Sequence, residues 1–279
     1  MTNGLKTVFL LGLMTGLVLF VGGLVGGKSG MLLALIIAAA LNLGSYWFSD
    51  KIVLRIHRAQ PLDPAQAPEL HQMVEGLCAR AQMPKPRLYL LPQQAPNAFA
   101  TGRNPKHGVV AVTQGLLELM NREEVEGVIA HELAHIKNRD ILTSSIAATL
   151  GGAIGYLAFS ARWGMLLGRG DRDNPLGMVG LLASAILAPL AATVIQMAVS
   201  RSREYAADAT GAEIAGQPHG LANALRKLGT YSKRIPMQTN AAMSHMFIVS
   251  PAFGGGMAKL FSTHPPVEER IRRLVGQAT

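Results

Sequence analysis

The residues most suited to chemistry are His131, Glu132 and His135, which lie in the sequence HELAH. Residues four apart lie on the same face of an α-helix, so both imidazole rings can reach one metal ion. Imidazole nitrogen is a good zinc ligand, and Glu132 would lie beside the ion and accept a proton from a bound water molecule. A surface helix whose histidines bind nothing would show the same five letters. The choice between a metal site and such a helix therefore depends on the rest of the sequence.

A catalytic zinc ion usually takes three protein ligands, and the candidate for the third is Glu204 in the sequence SREYAAD. Glu204 and Asp208 are four apart and would share one helical face. Glu204 would bind the metal, while Asp208 would accept a hydrogen bond from the outer nitrogen of a ligand histidine. The alternative is a solvated helix face on which Glu204 pairs with Arg201 or Arg203.

These residues need a scaffold, and the sequence between residues 51 and 140 has the pattern of a soluble α/β unit. A helix from Glu123 to Asn138 would carry the two histidines. Asn121 is its expected N-cap, and the acidic residues in its first turn suit the helix dipole. The other predicted elements are helices at Pro68–Gln82 and Gly115–Met120 and strands at Arg87–Leu91 and Val109–Thr113.

Long apolar runs flank this unit. The chain is 49% hydrophobic and only 15% charged, whereas soluble proteins are about 25% charged. Crossing a bilayer takes roughly 20 residues of helix. Val8–Val25 and Met31–Phe48 therefore read as spanning helices joined by a tight turn at residues 26–30. The later runs Ile141–Ser160 and Met178–Val199 also have spanning length, although a buried hairpin within the protein would have the same composition.

The net charge of +9 would suggest nucleic acid for a soluble protein. Here the basic residues gather beside apolar runs, so a lipid bilayer is the expected partner and nucleic acid is not. Lys51, Arg55 and Arg58 directly follow the second run, and the positive-inside rule then places the N-terminus and residues from 51 onward in the cytoplasm. Cys78 is the only cysteine, which excludes an intrachain disulfide and fits a reducing compartment.

Three motifs in order, HELAHIKNRD, SREYAAD and FSTHPP, make the chain similar to the HtpX family of bacterial membrane metalloproteases, relatives of the CaaX prenyl proteases. The similarity covers essentially the whole chain. It implies one zinc ion per chain, bound by His131, His135 and Glu204, with Glu132 as the general base. It also implies an endopeptidase of the bacterial inner membrane that cleaves misfolded or damaged membrane proteins in stress-related quality control, with its active site in the cytoplasm.

Two further segments match the family less fully. Asn97, Ala98, Phe99, Ala100 and Thr101 could form or border the sheet edge along which an extended substrate binds, or they could belong to an ordinary hairpin that ends at a glycine. His264 precedes two prolines, which favours an extended backbone. In the family's relatives a histidine at this point lies close to the metal. It could donate a hydrogen bond to the oxyanion or be a turn residue only.

The sequence thus predicts an α-rich integral membrane protein with a zincin-like α+β cytoplasmic catalytic domain that contains a small sheet. Its expected parts are an N-terminal transmembrane hairpin (1–50), a first catalytic part (51–140), a second apolar hairpin (141–200) and a second catalytic part (201–279). Two other functions fit the ligand pattern, a CaaX-type processing protease and a zinc-binding membrane scaffold without turnover. The presence of Glu132 argues against the scaffold, because a purely structural site needs no general base.

Overall fold

The computed structural model describes residues 3–146, 201–234, 248 and 265–276. These residues are mostly helical, with one small sheet, as the sequence predicts. The helices are α1 (Asn3–Ile56), α2 (Pro68–Ala81), α3 (Gln114–Leu119), α4 (Arg122–Lys137), α5 (Arg201–Ala215), α6 (His219–Arg234) and α7 (Val267–Gly276). The strands are β1 (Gln60–Pro61), β2 (Arg87–Leu91), β3 (Ala98–Thr101) and β4 (Val109–Thr113), and one 3₁₀ turn covers Pro105–His107.

Helix α1 reverses its direction at Gly27. The side-chain amide of Asn42 donates hydrogen bonds to Thr15 Oγ1 at 2.8 Å and to the carbonyl of Leu11 at 3.4 Å. In a straight helix Thr15 and Asn42 would lie about 40 Å apart at 1.5 Å per residue. Gly27 has a φ of 55°, a left-handed conformation that glycine adopts without a steric penalty. The turn predicted at residues 26–30 is therefore a sharp break within a helical segment.

The second half of α1 is apolar and exposed. The stretch Gly27–Ile56 is the one helix among the described residues that is long and apolar enough to cross a membrane. Many of its large side chains face outward, among them Leu32, Ile36, Leu43, Trp47 and Phe48. Exposed apolar surface of this extent calls for a covering apolar phase or partner.

The sheet has the strand order β1-β2-β4-β3, so β3 is its terminal strand within the described part of the chain. β2 and β4 are parallel, and β3 pairs with β4 as an antiparallel hairpin. Alternate residues of β3 face opposite layers. Phe99 packs with Val53 and Leu54 at the end of α1, while Ala98 and Ala100 belong to the larger core around α4.

Helix α4 is the centre of the larger core. It packs against α2, α5 and α6 and against the face of the sheet next to β3. Most of its side chains are buried, including those of Val128, Ile129 and Leu133. The predicted helices and strands of residues 51–140 all occur within a residue or so of their expected bounds. This buried helix therefore positions the two histidines rigidly.

Candidate metal centre

The start of α4 is fixed by a capping box. The side chain of Asn121 accepts a hydrogen bond from the backbone N–H of Glu124, and the Glu124 carboxylate accepts one from the backbone N–H of Asn121, both at 2.9 Å. This reciprocal arrangement satisfies two N–H groups that a helix start leaves open. Glu124 is also buried and binds Lys227 of α6 at 2.7 Å. The helix is thus anchored two turns before the first histidine.

His131 and His135 point to the same side of α4. Their Nε2 atoms lie 3.2 Å apart, and their rings are nearly perpendicular, with centroids 4.7 Å apart. His131 is almost fully buried, whereas the side chain of His135 is 17% exposed. The pair therefore converges on one point that retains a path to solvent on the His135 side.

Helix α5 brings Glu204 to this point. Its Oε1 lies 3.5 Å from Nε2 of His135, and its Oε2 lies 3.8 Å from Nε2 of His131. Donor atoms of all three residues lie within 4.8 Å of one another, which is close enough to bind a single metal ion. Glu204 is buried, so it does not belong to a solvated helix face. Arg203 lies within ion-pair distance of Asp140, at 3.8 Å.

The outer nitrogens of both rings face carboxylates. Nδ1 of His131 lies 3.0 Å from Asp208, and Nδ1 of His135 lies 3.1 Å from Asp140. A carboxylate at Nδ1 favours the tautomer with the proton on that nitrogen. Both Nε2 atoms then face Glu204 and each other, and that of His131 also faces the guanidinium of Arg270. Such a set of two nitrogens and one carboxylate attracts a cation, so the residues present fit a divalent metal ion.

The electrostatics of the pocket agree with this geometry. Burial lowers the pKa of His131. Burial also opposes the charged form of His135, but the hydrogen bond to Asp140 and the charge of Glu204 outweigh it and raise the pKa of His135 to about 9. The carboxylates around His135 thus favour positive charge at this point, which a bound divalent cation would also supply.

Arg270 of α7 is a fully buried cation beside the histidines, with Nη2 3.4 Å from Nε2 of His131 and Nη1 3.7 Å from Oε2 of Glu204. It donates two hydrogen bonds to Asp208, at 2.7 and 2.9 Å, and one to the carbonyl of Ile248 at 2.7 Å. Burial alone would raise the pKa of Asp208, yet the charge and hydrogen bonds of Arg270 hold it at about 2. Asp208 is therefore an anion fixed between the guanidinium and the ring of His131.

Glu132 lies on the sheet side of the same helix. It is buried, and burial raises the pKa of its carboxyl to about 7. A backbone hydrogen bond from Ala100 of β3 reaches this carboxyl and partly counters that effect. Glu132 thus joins the histidine pair to the terminal strand of the sheet. A buried carboxyl with a pKa near neutrality is suited to exchange protons.

The remaining predicted site residues are the segment from Asn97 to Thr101 and His264. Asn97 is buried, and its side-chain oxygen accepts a hydrogen bond from the backbone N–H of Ile248 at 3.2 Å. The strand that follows is both a hairpin partner of β4 and the terminal strand of the sheet, and its four residues are buried. His264 lies outside the described residues.

Two residues of the centre were not predicted from the sequence, Asp140 and Arg270. Asp140 ends the HELAHIKNRD motif, so its distance of five residues from His135 could have indicated a contact just beyond the helix end. No local spacing connects Arg270 with Asp208, which lies 62 residues earlier in the chain.

Comparison with known proteins agrees with the site. Residues 64–278 match Peptidase family M48. The "Protease HtpX homolog" of Desulfatibacillum aliphaticivorans is 60% identical, over 99% of this chain and 90% of its own length. The proteins of the same name from Desulforapulum autotrophicum and Syntrophobacter fumaroxidans are 55% and 54% identical, each over 98% of this chain and over 90% and 99% of their own lengths.

Among solved structures, the chain is similar to the crystal structure of S. mikatae Ste24p, with a TM-score of 0.54 and 18% identity. The match covers 98% of this chain, which spans 65% of the length of that one. At this identity the likeness concerns the fold alone. The family match and the cluster of two histidines and a glutamate together support a metal cofactor. The resemblance to HtpX proteases is thereby confirmed, and the chain belongs to peptidase family M48 and is a protease.

Proposed function

We propose that the chain is a zinc endopeptidase of the bacterial inner membrane that cleaves misfolded or damaged membrane proteins. The observation that carries this proposal is the convergence of His131, His135 and Glu204 on one point, with the buried carboxyl of Glu132 beside it. A scaffold would need the three ligands but not the fourth residue. The quality-control role rests on the similarity to HtpX proteases.

Zinc is the metal that this ligand set favours. Two imidazoles and one carboxylate are a common set for catalytic zinc, and they leave a coordination position open. Asp208 and Asp140 would hold the rings of His131 and His135 in the required tautomer and orientation. Arg270 would keep Asp208 ionised. Each chain would then bind one zinc ion.

The mechanism follows from the positions of the side chains. A bound zinc ion would act as a Lewis acid that polarises the scissile carbonyl and lowers the pKa of water. Glu132 would remove a proton from the water that attacks the carbonyl carbon. After the C–O bond forms, Glu132 would deliver that proton to the amide nitrogen as the C–N bond breaks. His264 would donate a hydrogen bond to the oxyanion.

The substrate would bind as an extended strand beside β3. Residues 97–101 run next to α4, and the backbone of Ala100 already bonds to Glu132. A substrate strand that runs alongside β3 would have carbonyl groups on the side of the sheet edge where Glu132 lies. Binding through the backbone suits a protease with a broad range of polypeptide substrates.

The chain would be a multi-pass membrane protein with its catalytic residues in the cytoplasm. The two halves of α1 would form an N-terminal transmembrane hairpin (1–50), and residues 141–200 would form a second apolar hairpin. Residues 51–140 and 201–279 would together make the catalytic domain. The packing of α5 against α4 supports this assignment, because Glu204 and the two histidines must lie on one side of the membrane.

The proposal is tested with the Glu132→Gln variant in detergent. Glu132→Gln should bind one zinc ion per chain, as the wild type should, but hydrolyse unfolded casein about 10²–10⁴-fold more slowly, because the general base is lost and the ligands are not. Glu123→Gln is the matched control, since Glu123 lies in the same helix but is exposed, and it should keep full activity. Zinc-bound Glu132→Gln that cleaves casein at the wild-type rate would refute the mechanism, and a wild type without metal would refute the zinc site.

A further inference from the structure

A basic groove lies where α1 leaves its apolar stretch and meets the sheet, on the side away from the metal centre. Its volume is about 860 Å³. One wall is the last two turns of α1, from Phe48 to Ile56, and the other is formed by β1 and by Arg87 and Tyr89 of β2. The groove is partly open to solvent, and Phe48 at one end belongs to the exposed apolar surface of α1.

Four cations line this groove: Lys51, Arg55, Arg58 and Arg87. Arg87 binds the carboxylate of Asp50 at 2.9 Å. The other three side chains are exposed, and no carboxylate among the described residues lies within ion-pair distance of them. The groove therefore holds an excess of positive charge that the described part of the chain does not neutralise.

The apolar part of the groove follows the same helix. Phe48, Ile52 and Ile56 are spaced four residues apart and form a stripe beside the stripe of Lys51 and Arg55. The neighbouring Trp47 is half exposed, and the guanidinium of Arg103 lies 4.7 Å from its ring. Tryptophan is enriched at the boundary between a bilayer and water, and basic residues are enriched on its cytoplasmic side. The groove is thus apolar at its Phe48 end and basic at its Arg58 end.

We propose that this groove binds an anionic phospholipid, such as phosphatidylglycerol, from the cytoplasmic leaflet. The phosphate would lie among Lys51, Arg55 and Arg58, and an acyl chain would follow the stripe from Ile56 to Phe48. The inference rests on the membrane location proposed above. A soluble anion would use the cations alone, whereas a phospholipid also matches the apolar stripe that continues into the exposed surface of α1.

Such a lipid would have a structural consequence. The groove is bounded by β1 and β2, which belong to the same sheet as β3 next to Glu132. The sheet would therefore be held at a fixed height and tilt against the membrane surface. The binding of the headgroup would orient the proposed substrate strand relative to the bilayer from which substrates arrive.

The test uses fluorescence transfer from Trp47 to a dansyl-labelled lipid. The full-length protein carries Glu132→Gln to prevent cleavage and Trp163→Phe to leave one tryptophan. Dansyl-phosphatidylglycerol and dansyl-phosphatidylcholine are titrated into the protein in neutral detergent. We expect phosphatidylglycerol to bind at least about tenfold more tightly, since each basic residue near a membrane surface contributes appreciably to the attraction of anionic lipid.

The groove variant combines Lys51→Gln, Arg55→Gln and Arg58→Gln, and it should lose this preference. The charge-matched control combines Arg122→Gln, Arg226→Gln and Arg272→Gln on exposed surfaces elsewhere and should keep it. Arg58 lies beyond the end of α1, and Arg58→Gln alone should lose part of the preference for phosphatidylglycerol. The zinc content of each variant reports whether it has folded.

Three results would overturn the proposal: equal binding of the two lipids, a preference that survives in the groove variant, or full displacement by inorganic phosphate at constant ionic strength. The last would assign the groove to a free phosphate. A failure of the membrane location itself would be recognised separately, because the purified chain would then stay in solution without detergent.

Discussion

The imidazole of His135 has different neighbours at its two nitrogens. Nε2 faces His131 and Glu204, and Nδ1 lies 3.1 Å from Asp140. We expect Asp140→Asn to weaken zinc binding about 10–100-fold, because the amide lacks the charge that holds the Nδ1 proton and increases the basicity of the ring. Zinc affinity is measured by competition with a chelator, and activity should return when excess zinc is added.

Asp63→Asn is the control for this change. Asp63 is exposed and accepts a hydrogen bond from the backbone of Ala65, a role that an asparagine can also fill. This variant should bind zinc like the wild type. Equal zinc affinity in the Asp140 and Asp63 variants would show that Asp140 does not support the ligand.

A second prediction at the residue scale concerns the contribution of Arg270 to stability. Its side chain is fully buried, and it binds Asp208 through two hydrogen bonds and lies 3.7 Å from Glu204. Arg270→Gln should lower the free energy of unfolding of the metal-free protein by about 3–5 kcal/mol, because it leaves buried carboxylates without their partner. The measurement is chemical denaturation followed by circular dichroism.

Arg272 provides the contrast within the same helix. It pairs with Glu269, but its side chain is 77% exposed, and water screens such a pair. Arg272→Gln should leave the denaturation midpoint unchanged. If both variants unfold at the same denaturant concentration, the buried pair does not stabilise the fold in the way described.

These residues mark the limit of what the sequence predicts. His131, His135 and Glu204 could be found because helical spacing and a known motif place them on common faces. The contact of Asp140 depends on how the chain leaves α4, and Arg139 there has a φ of 59°. The pairing of Arg270 with Asp208 joins two helices that are far apart in sequence, so it depends on tertiary packing.

At the scale of elements, the contact between α4 and α5 decides whether the ligands converge. At Gly211 in α5, an added Cβ would lie 2.9 Å from the Cα of His131 and 3.0 Å from its backbone nitrogen. Gly211→Ala should therefore separate the two helices and move Glu204 away from the histidines. We expect a loss of about 1–3 kcal/mol in the free energy of unfolding and weaker zinc binding.

Gly76 is the matched control for this substitution. It lies inside α2, and an added Cβ would meet nothing within 4 Å. Gly76→Ala should stabilise the protein by about 0.5–1 kcal/mol, because alanine is the better helix former. If Gly211→Ala bound zinc and unfolded like Gly76→Ala, the close approach of α5 to α4 would not position Glu204.

The elements themselves were largely predictable, for local reasons. Pro68 begins α2, and a left-handed Gln82 ends it. Asn121 caps α4 as expected. The order of the strands was not predictable, because the parallel pairing of β2 with β4 joins segments separated by the hairpin strand β3. Local signals therefore gave the elements, whereas their arrangement depends on long-range packing.

At the scale of the whole molecule, the candidate metal ligands come from two segments separated by residues 141–200. His131 and His135 precede that stretch, and Glu204 follows it, yet they meet within hydrogen-bonding or ion-pair distances. In the proposed membrane topology, both segments would then lie on the same side of the membrane. An even number of crossings between them satisfies this condition, either two spanning helices or none.

The last prediction concerns this topology and uses single cysteines in a chain that carries Cys78→Ala. The test positions are exposed: Lys28 at the turn of α1, Gln72 in α2 and Glu213 in α5. A cysteine at Lys28 should react with a membrane-impermeant maleimide added to intact spheroplasts, because in the proposed topology the basic residues after the apolar stretch of α1 would hold the catalytic domain in the cytoplasm. Cysteines at Gln72 and Glu213 should react only after permeabilisation. Labelling of Gln72 and Glu213 on opposite sides would be incompatible with a shared metal centre, and labelling of both from outside would reverse the proposed orientation.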